Sequence, residues 1–199
     1  MIFRHCVIRN FRQIKKAFDK KIKRTLERVT VMDIRIFGLA NDSIVDGPGI
    51  RFAIFTQGCP HACEGCHNPN SHDMNGGYID TTENILSKIE ANPLLDGVTF
   101  SGGEPFMQAE PLIEIAKAVH EMGLNVVAFT GFLWENLLSG ANEENHWKEL
   151  LENIDILIDG PFILAQRSID LFFAGSKNQR AIDVKESLEK GEIVIHEFN

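Results

Sequence analysis

Three cysteines lie close together in one short segment, 58–70, which reads Gly-Cys-Pro-His-Ala-Cys-Glu-Gly-Cys-His-Asn-Pro-Asn. They are Cys59, Cys63 and Cys66, in the spacing C-x3-C-x2-C. Because so few residues separate them, a single tight loop can direct all three thiols towards one centre. Thiolates are soft ligands that suit iron–sulfur clusters or zinc. A four-iron cluster normally takes four cysteines, so three would leave one iron open, and an open coordination position is typical of a reactive metal site.

Other uses of these thiols stay open on spacing alone. A structural zinc site needs a fourth ligand, and His61, His67 or His72 could supply it. A disulfide with one spare thiol is a further alternative, although nothing in the sequence indicates an oxidising compartment. The fourth cysteine, Cys6, lies far from the motif and is interpreted as a free thiol.

The composition is ordinary for a soluble globular protein, with 44% hydrophobic and 24% charged residues. A chain of 199 residues is expected to form one domain with a substantial core. No apolar run reaches the roughly 18 residues that a membrane span needs, and no signal peptide is recognised. Thiols in a chain without an export signal favour the cytoplasm.

The net charge of −8 is unevenly distributed along the chain. Residues 1–31 carry ten Lys or Arg against Asp19 and Glu27, which gives a charge of +8, whereas residues 32–199 carry ten Lys or Arg against 26 acids, which gives −16. The acidic body argues against nucleic-acid binding. We therefore divide the chain into a basic N-terminal extension, 1–31, and a functional domain, 32–199.

The extension has apolar residues at helical spacing. They are Phe11, Ile14, Phe18, Ile22, Leu26 and Val29. The segment is predicted to be either an amphipathic helix or disordered, and the favoured interpretation is an upstream extension before an ancestral start at Met32. A docking or membrane-surface helix and a segment similar to an organellar transit peptide are the alternatives.

Strand-like and helix-like segments alternate along the rest of the chain. Strands are predicted at 33–38, 50–55, 97–101, 125–129, 154–158, 180–184 and 193–196, and helices at 80–91, 110–122, 132–138 and 147–153. The first helix is expected to begin with a capping box formed by Asp80 and Glu83. The alternation predicts an α/β fold with a parallel sheet and right-handed crossovers. Periodicity alone does not separate an open doubly wound sheet from a partial barrel.

The unusual loops all follow predicted strands, at 59–70, 102–105 and 159–162. The carboxyl ends of parallel strands form the ligand face of such folds, so these loops are expected to converge. Gly102 and Gly103 lack a Cβ and would let the backbone approach a ligand closely, although an ordinary turn explains them equally well. Asp159 is expected either at the mouth of this site or as the cap of a turn.

Three longer stretches resemble the radical S-adenosylmethionine (SAM) superfamily, and within it the glycyl-radical-enzyme activases. They are 46–51, which reads Asp-Gly-Pro-Gly-Ile-Arg, 57–61 and 65–69. The resemblance runs from about Ile36 to about Val184. It implies the partial parallel (β/α) barrel of the radical SAM proteins. It also implies one [4Fe-4S] cluster, SAM bound at its open iron, and a reduced electron donor such as flavodoxin.

The same resemblance implies roles for individual residues. Cys59, Cys63 and Cys66 would hold the cluster, with no catalytic residue needed beyond these ligands. The segment Gly65, Cys66 and His67 would line the adenine side of SAM. The position before the third cysteine is often aromatic in radical SAM loops and is Gly65 here.

The Gly-Gly-Glu segment would bind the other end of SAM. By the resemblance, Gly102, Gly103 and Glu104 would contact its amino group. The carboxylate of Glu104 would be favourable beside that ammonium.

The partner is also inferred from the resemblance. The stretch 175–180, Gly-Ser-Lys-Asn-Gln-Arg, is similar to the activases that serve anaerobic ribonucleoside-triphosphate reductase. Pyruvate formate-lyase activases are usually longer and carry a Lys soon after the aspartate that corresponds to Asp159, where this chain has Gly160 and Pro161. A formate-lyase-type partner, a small-molecule radical SAM reaction, and a zinc or electron-transfer module are the alternatives.

Overall fold

The computed structural model describes residues 29–198. Cys6 and nearly all of the predicted amphipathic segment therefore lie outside the described residues. The described part contains one sheet whose strands, in chain order, are β1 (Asp33–Ser43), β2 (Arg51–Thr56), β3 (Tyr78–Thr81), β4 (Gly97–Gly102), β5 (Asn125–Phe129), β6 (Ile156–Asp159) and β7 (Arg180–Asp183). The helices are α1 (Thr82–Glu90), α2 (Ala109–Glu121), α3 (Trp134–Gly140), α4 (Trp147–Glu152) and α5 (Val184–Lys190). Short 3-10 turns span Pro69–Ser71, Pro105–Gln108 and Leu164–Gln166.

The strand order across the sheet is β3-β1-β2-β4-β5-β6-β7. The neighbouring strands β2, β4, β5 and β6 run parallel to one another. On one side β1 pairs antiparallel with β2 and β3 with β1, and on the other side β7 pairs antiparallel with β6. The predicted α/β fold with a partial, open parallel barrel is confirmed. The antiparallel flank was not predicted, and its cause is local: the connection 44–50 between β1 and β2 is too short for the crossover that a parallel pair requires.

The parallel strands are buried on both faces, which is usual when helices cover such a sheet. In β5, Val126 and Ala128 belong to the main hydrophobic core together with residues of the helices. Val127, between them, points to the other face and packs in a smaller cluster with Ile156 and Ile158. This continuous apolar run therefore forms one wall of the barrel and supports the loops at its carboxyl end.

The predicted start of α1 is wrong by one residue. The cap is Thr81, whose hydroxyl oxygen accepts a hydrogen bond of 3.2 Å from the backbone N–H of Asn84. Asp80 instead lies in β3, a strand that the sequence analysis missed, and its carboxylate accepts hydrogen bonds from the side chains of Asn84 and Lys88. The Thr81 hydroxyl therefore caps the helix, while the Asp80 carboxylate is occupied by the side chains of Asn84 and Lys88.

The end of the chain also differs from the prediction. The segment 193–196 forms only an isolated bridge, between Ile195 and Ile182, rather than a strand. Helix α5 follows β7 directly, and the side chain of Asp183 caps it by accepting from the N–H of Glu186. The spacing of Asp183 and Glu186 matches a capping box, so this sequence signal could have revealed the helix.

Contacts with the body of the fold begin before Met32. Val29 packs against the core, and the backbone N–H of Thr30 donates a hydrogen bond of 3.0 Å to Glu114. The hydroxyl of Thr82 donates to the carbonyl of Thr30 at 2.9 Å and accepts from the N–H of Met32 at 3.1 Å. The boundary at residue 31 stays a prediction. Between residues 29 and 198, no helix has the length and apolarity to cross a membrane.

Candidate active site

A cavity of about 700 Å³ opens at the carboxyl ends of the parallel strands. Most of its lining comes from the loops after the four neighbouring parallel strands β2, β4, β5 and β6. These lining residues include Cys59, Cys63, Cys66, His67, Gly102, Gly103, Thr130, Gly131, Gly160 and Phe162. The loops expected to converge therefore do line one cavity. The sequence analysis had not assigned Thr130 and Gly131 to the site, although they too follow a parallel strand.

The three cysteines of the motif are free, partly buried thiols. The N–H of Cys66 donates to the carbonyl of Cys63 at 3.2 Å, and the N–H of Asn68 donates to the sulfur of Cys66 at 3.3 Å. The thiolate is the form of cysteine that binds metals. In the part of the chain that the structure describes, no three Cys, His, Asp or Glu side chains lie close enough to hold a metal ion as placed.

The pKa of the Cys59 thiol is raised above its usual value, first because burial disfavours the thiolate. Backbone hydrogen bonds from His61 and Ala62 oppose this shift, and the nearby charge of Glu104 adds to it. A bound cation would reverse this balance, because a metal ligand is deprotonated. The donor set fits a metal, because three free, partly buried thiols lie in one loop and a bound ion would offset the burial that disfavours the Cys59 thiolate.

The two glycines of the next loop pack against the protein's own backbone. A Cβ on Gly102 would lie 2.5 Å from Phe55 Cα, and Gly102 has a φ of +94°. A Cβ on Gly103 would approach the carbonyl oxygen of Gly58 closer than 3.0 Å. The N–H of Gly103 donates to Thr56 at 2.7 Å. Glycine is thus required here to join this loop to the start of the cysteine loop.

Glu104 follows these glycines and is fully buried. Its Oε1 accepts from the N–H of Phe106 at 3.1 Å and from the hydroxyl of Thr130 at 2.8 Å. Its Oε2 accepts from the N–H of Gly131 at 2.9 Å and lies 2.8 Å from Nε2 of His61. Both oxygens therefore have partners within the protein, which the sequence analysis had not foreseen.

The histidines around the cysteine loop have different surroundings. The ring of His67 lies 5.3 Å from the ring of Phe162, and both line the cavity. The Nε2 atom of His72 is buried without a hydrogen-bond partner among the described residues, whereas His61 is paired with Glu104. Of the three histidines considered as a fourth zinc ligand, His61 is thus already engaged.

The motif 46–51 is divided between the cavity and the far end of the sheet. Asp46 lines the cavity, whereas Arg51 is fully buried at the start of β2, the strand end opposite the cysteine loop. Arg51 donates to the side chain of Asn125 at 2.5 Å and to that of Thr99 at 3.1 Å. Burial lowers the pKa of Arg51 to about 10. Arg51 thus joins β2, β4 and β5 beneath the cavity.

Asp159 is buried and does not line the cavity. It accepts from the N–H of Trp134 at 2.8 Å and forms an ion pair with Arg180, which also binds Glu135 through two hydrogen bonds. The pKa of Arg180 is raised above its usual value, mainly by its hydrogen bonds to Asp159 and then by those to Glu135. The structure therefore favours the structural interpretation of Asp159.

The stretch 175–180 packs against the turn after β6. The side chain of Gln179 donates to the carbonyl of Gly160 at 3.0 Å and accepts from the N–H of Gly175 at 2.8 Å. The side chain of Asn178 donates to the carbonyl of Pro161 at 2.8 Å. The two stretches that suggested a particular branch of activases therefore form one structural unit beside the cavity.

Comparison with known proteins agrees with this site. Residues 45–182 match the family described as a 4Fe-4S single cluster domain, so the chain is a protein of the iron–sulfur class. It is 38% identical over 130 residues to the pyruvate formate-lyase-activating enzyme of Clostridium pasteurianum, and this match covers 62% of this chain and 50% of that enzyme. It is 30% identical over 146 residues to the anaerobic ribonucleoside-triphosphate reductase-activating protein of Haemophilus influenzae, and this match covers 68% of this chain and 89% of that protein.

The chain thus spans half the length of the formate-lyase activase and nearly all of the reductase activase. Among solved structures, QueE from Escherichia coli aligns with a TM-score of 0.40 and 17% identity over 50% of this chain and 53% of that chain. The sequence matches confirm the predicted family: this chain belongs to the glycyl-radical-enzyme activases of the radical SAM superfamily.

Proposed function

We propose that this protein cleaves SAM reductively and generates a glycyl radical on a partner enzyme, anaerobic ribonucleoside-triphosphate reductase. The observation that carries the proposal is one cavity lined both by the three free thiols of the C-x3-C-x2-C loop and by the backbone of Gly102 and Gly103. The match to a 4Fe-4S family favours iron over zinc at these thiols.

Cys59, Cys63 and Cys66 would hold a [4Fe-4S] cluster and leave its fourth iron open to SAM. When bound, the cluster supplies the electron that breaks the S–C5′ bond of SAM, which gives methionine and a 5′-deoxyadenosyl radical that removes hydrogen from a glycine Cα. The protein binds and orients the reactants and keeps water away. No acid–base pair is needed, and a reduced protein such as flavodoxin is the proposed electron donor.

The remaining residues would position SAM along the cavity. Gly65, Cys66 and His67 would line its adenine side, where the ring of His67 already lies against Phe162. Gly65 has a φ of +72°, and a Cβ there would lie 2.9 Å from Leu164. The Gly102–Glu104 segment would line the methionine side.

The choice of partner depends on the residues beside the cavity. Gly160 and Pro161 follow Asp159, where formate-lyase activases usually carry a Lys. The stretch 175–180, which resembles the reductase activases, packs against this turn through Asn178 and Gln179. The match that covers 89% of the reductase-activating protein of H. influenzae also supports this choice. A formate-lyase-type partner is the second candidate, supported by the 38% identity to the formate-lyase-activating enzyme of C. pasteurianum.

Electron paramagnetic resonance on anaerobic mixtures tests both partners. The reconstituted protein, reductant and SAM are mixed with the anaerobic reductase or, separately, with the formate-lyase-type enzyme of the same organism. A glycyl doublet in the reductase that requires SAM is the expected result. A doublet only in the formate-lyase-type enzyme would overturn the partner assignment, and no SAM cleavage by iron-loaded protein would overturn the reaction itself.

A further inference from the structure

A hydrogen-bonded network around Glu104 joins three loops at the cavity. His61 lies within the cysteine loop, between Cys59 and Cys63. Its Nε2 is 2.8 Å from Oε2 of Glu104, in the loop after β4. Glu104 also binds Thr130, in the loop after β5. One carboxyl group therefore connects the loops that follow three neighbouring strands.

The His61 ring is held from several sides. Its side chain is 17% exposed. It meets the ring of Phe132 edge-on, with centroids 4.6 Å apart and an interplanar angle of 76°. It also lies directly over Gly131, where a Cβ would come closer than 3.0 Å to the ring. This packing leaves His61 little freedom, so its hydrogen bond to Glu104 has a fixed direction.

The other partners of Glu104 hold the carboxyl group in place without the cysteine loop. They are the backbone N–H groups of Phe106 and Gly131 and the hydroxyl of Thr130. His61 is the side chain through which the cysteine loop reaches this anchored group. The loops are also joined by the backbone, since the N–H of Glu104 donates to the carbonyl of Gly58 at 2.8 Å.

We propose that His61 and Glu104 are positioning residues that fix the cysteine loop relative to the Gly102–Glu104 segment. This inference rests on the proposed function, in which SAM bridges the open iron and that segment. The distance between the two loops then decides how well SAM fits both, and small misplacements weaken binding or reaction strongly. On this account Glu104 acts through the loops and not by contact of its carboxylate with the ammonium group of SAM.

The test compares His61→Phe, which removes the hydrogen bond, with His61→Gln, which keeps an N–H donor. His120→Phe is the matched control, because His120 pairs with Asp155 at 2.9 Å and neither residue lines the cavity. Iron content, the dissociation constant for SAM, and the spectral change of the reduced cluster on adding SAM are measured for each protein under anaerobic conditions.

His61→Phe is expected to retain its iron and to bind SAM about tenfold more weakly, because the cysteine loop loses its side-chain hydrogen bond to the anchored carboxyl group of Glu104. His61→Gln should recover part of this loss, and His120→Phe should match the unchanged protein. Glu104→Gln should weaken SAM binding similarly, and adding it to His61→Phe should cause little further loss, because the two residues act as a unit.

Two results would overturn the inference while the proposed function stands. One is unchanged SAM affinity and an unchanged spectral response in His61→Phe. The other is loss of iron from both His61 variants, which would assign the pair to folding of the cysteine loop alone. If the unchanged protein itself binds iron but no SAM, the proposed function fails instead.

Discussion

The carbonyl oxygen of Gly58 lies so close to Gly103 that a Cβ at residue 103 would approach it closer than 3.0 Å. Gly58 immediately precedes the first cysteine of the motif, and Gly103 is the second glycine of the SAM-binding segment in the proposed function. The two proposed half-sites are therefore in direct backbone contact. A substitution that displaces the backbone of one half-site should therefore displace the other half-site too.

Gly103→Ala is expected to disturb both half-sites. The added Cβ forces Gly58 away, because a carbonyl oxygen in the backbone cannot yield as a flexible side chain can. Iron content after anaerobic reconstitution and SAM cleavage should both fall severalfold. Gly38→Ala is the control, since nothing lies within 4 Å of a Cβ at Gly38 and its φ needs no glycine. Full iron loading with lost cleavage would show that only the ligand, and not the cysteine loop, needs Gly103.

Replacing any one of Cys59, Cys63 and Cys66 by Ala should abolish the cluster. All three thiols line the same cavity, and a cluster with only two protein ligands is expected to be lost. Cys6→Ala is the control and should keep the cluster. Iron and sulfide per chain are the measurements. Stoichiometric zinc without iron in the anaerobically reconstituted protein would contradict the iron–sulfur assignment.

Arg180→Met should destabilise the fold. It leaves the fully buried carboxylate of Asp159 without its cationic partner, and the expected loss of unfolding free energy is about 2–3 kcal/mol. Glu135→Gln is the control, because Glu135 is 57% exposed and its pairing with Arg180 should contribute under about 1 kcal/mol. Denaturant unfolding gives both values. Equal effects of the two substitutions would show that burial of Asp159 does not decide the outcome.

Much of the fold was predictable because its signals are local. The strand 125–129 was predicted with its observed bounds, and α2 was predicted within one residue at each end. Here an apolar run stands between turn residues, and Gly123 stops the helix with a φ of +85°. The convergence of the loops followed from one rule about parallel strands. By contrast, β3 is a four-residue strand that exists through its pairing with β1.

The network around Glu104 could not be predicted, because its partners come from three separate loops. Sequence alone identified Glu104 as part of a Gly-Gly-Glu segment and His61 as a possible metal ligand. Only the arrangement of β2, β4 and β5 brings His61 and Thr130 to the same carboxyl group. The pairing of Asp159 with Arg180 was likewise unpredictable, because it depends on the antiparallel pairing of β7 with β6, which places these two distant residues opposite each other.

Removal of residues 1–31 should leave the fold and the cluster site intact. A chain that starts at Met32 lacks Thr30, whose N–H binds Glu114 and whose carbonyl accepts from Thr82. It also lacks Val29, which packs on the core. We expect this chain to fold and keep its cluster, because these contacts are on the helix side, away from the cavity lining. Its unfolding free energy should be lower by about 1–2 kcal/mol than that of a chain starting at Val29 behind an added methionine.

Thermal or denaturant unfolding of the two truncated proteins, with iron content measured alongside, checks this expectation. The chain from Val29 should match the full-length protein in both respects, since it retains the contacts of Val29 and Thr30. Equal stability of the two truncated chains would show that these contacts contribute nothing. Loss of iron or insolubility in the chain from Val29 would show that residues 1–28 are needed by the fold, and the interpretation of this segment as a dispensable extension would be wrong.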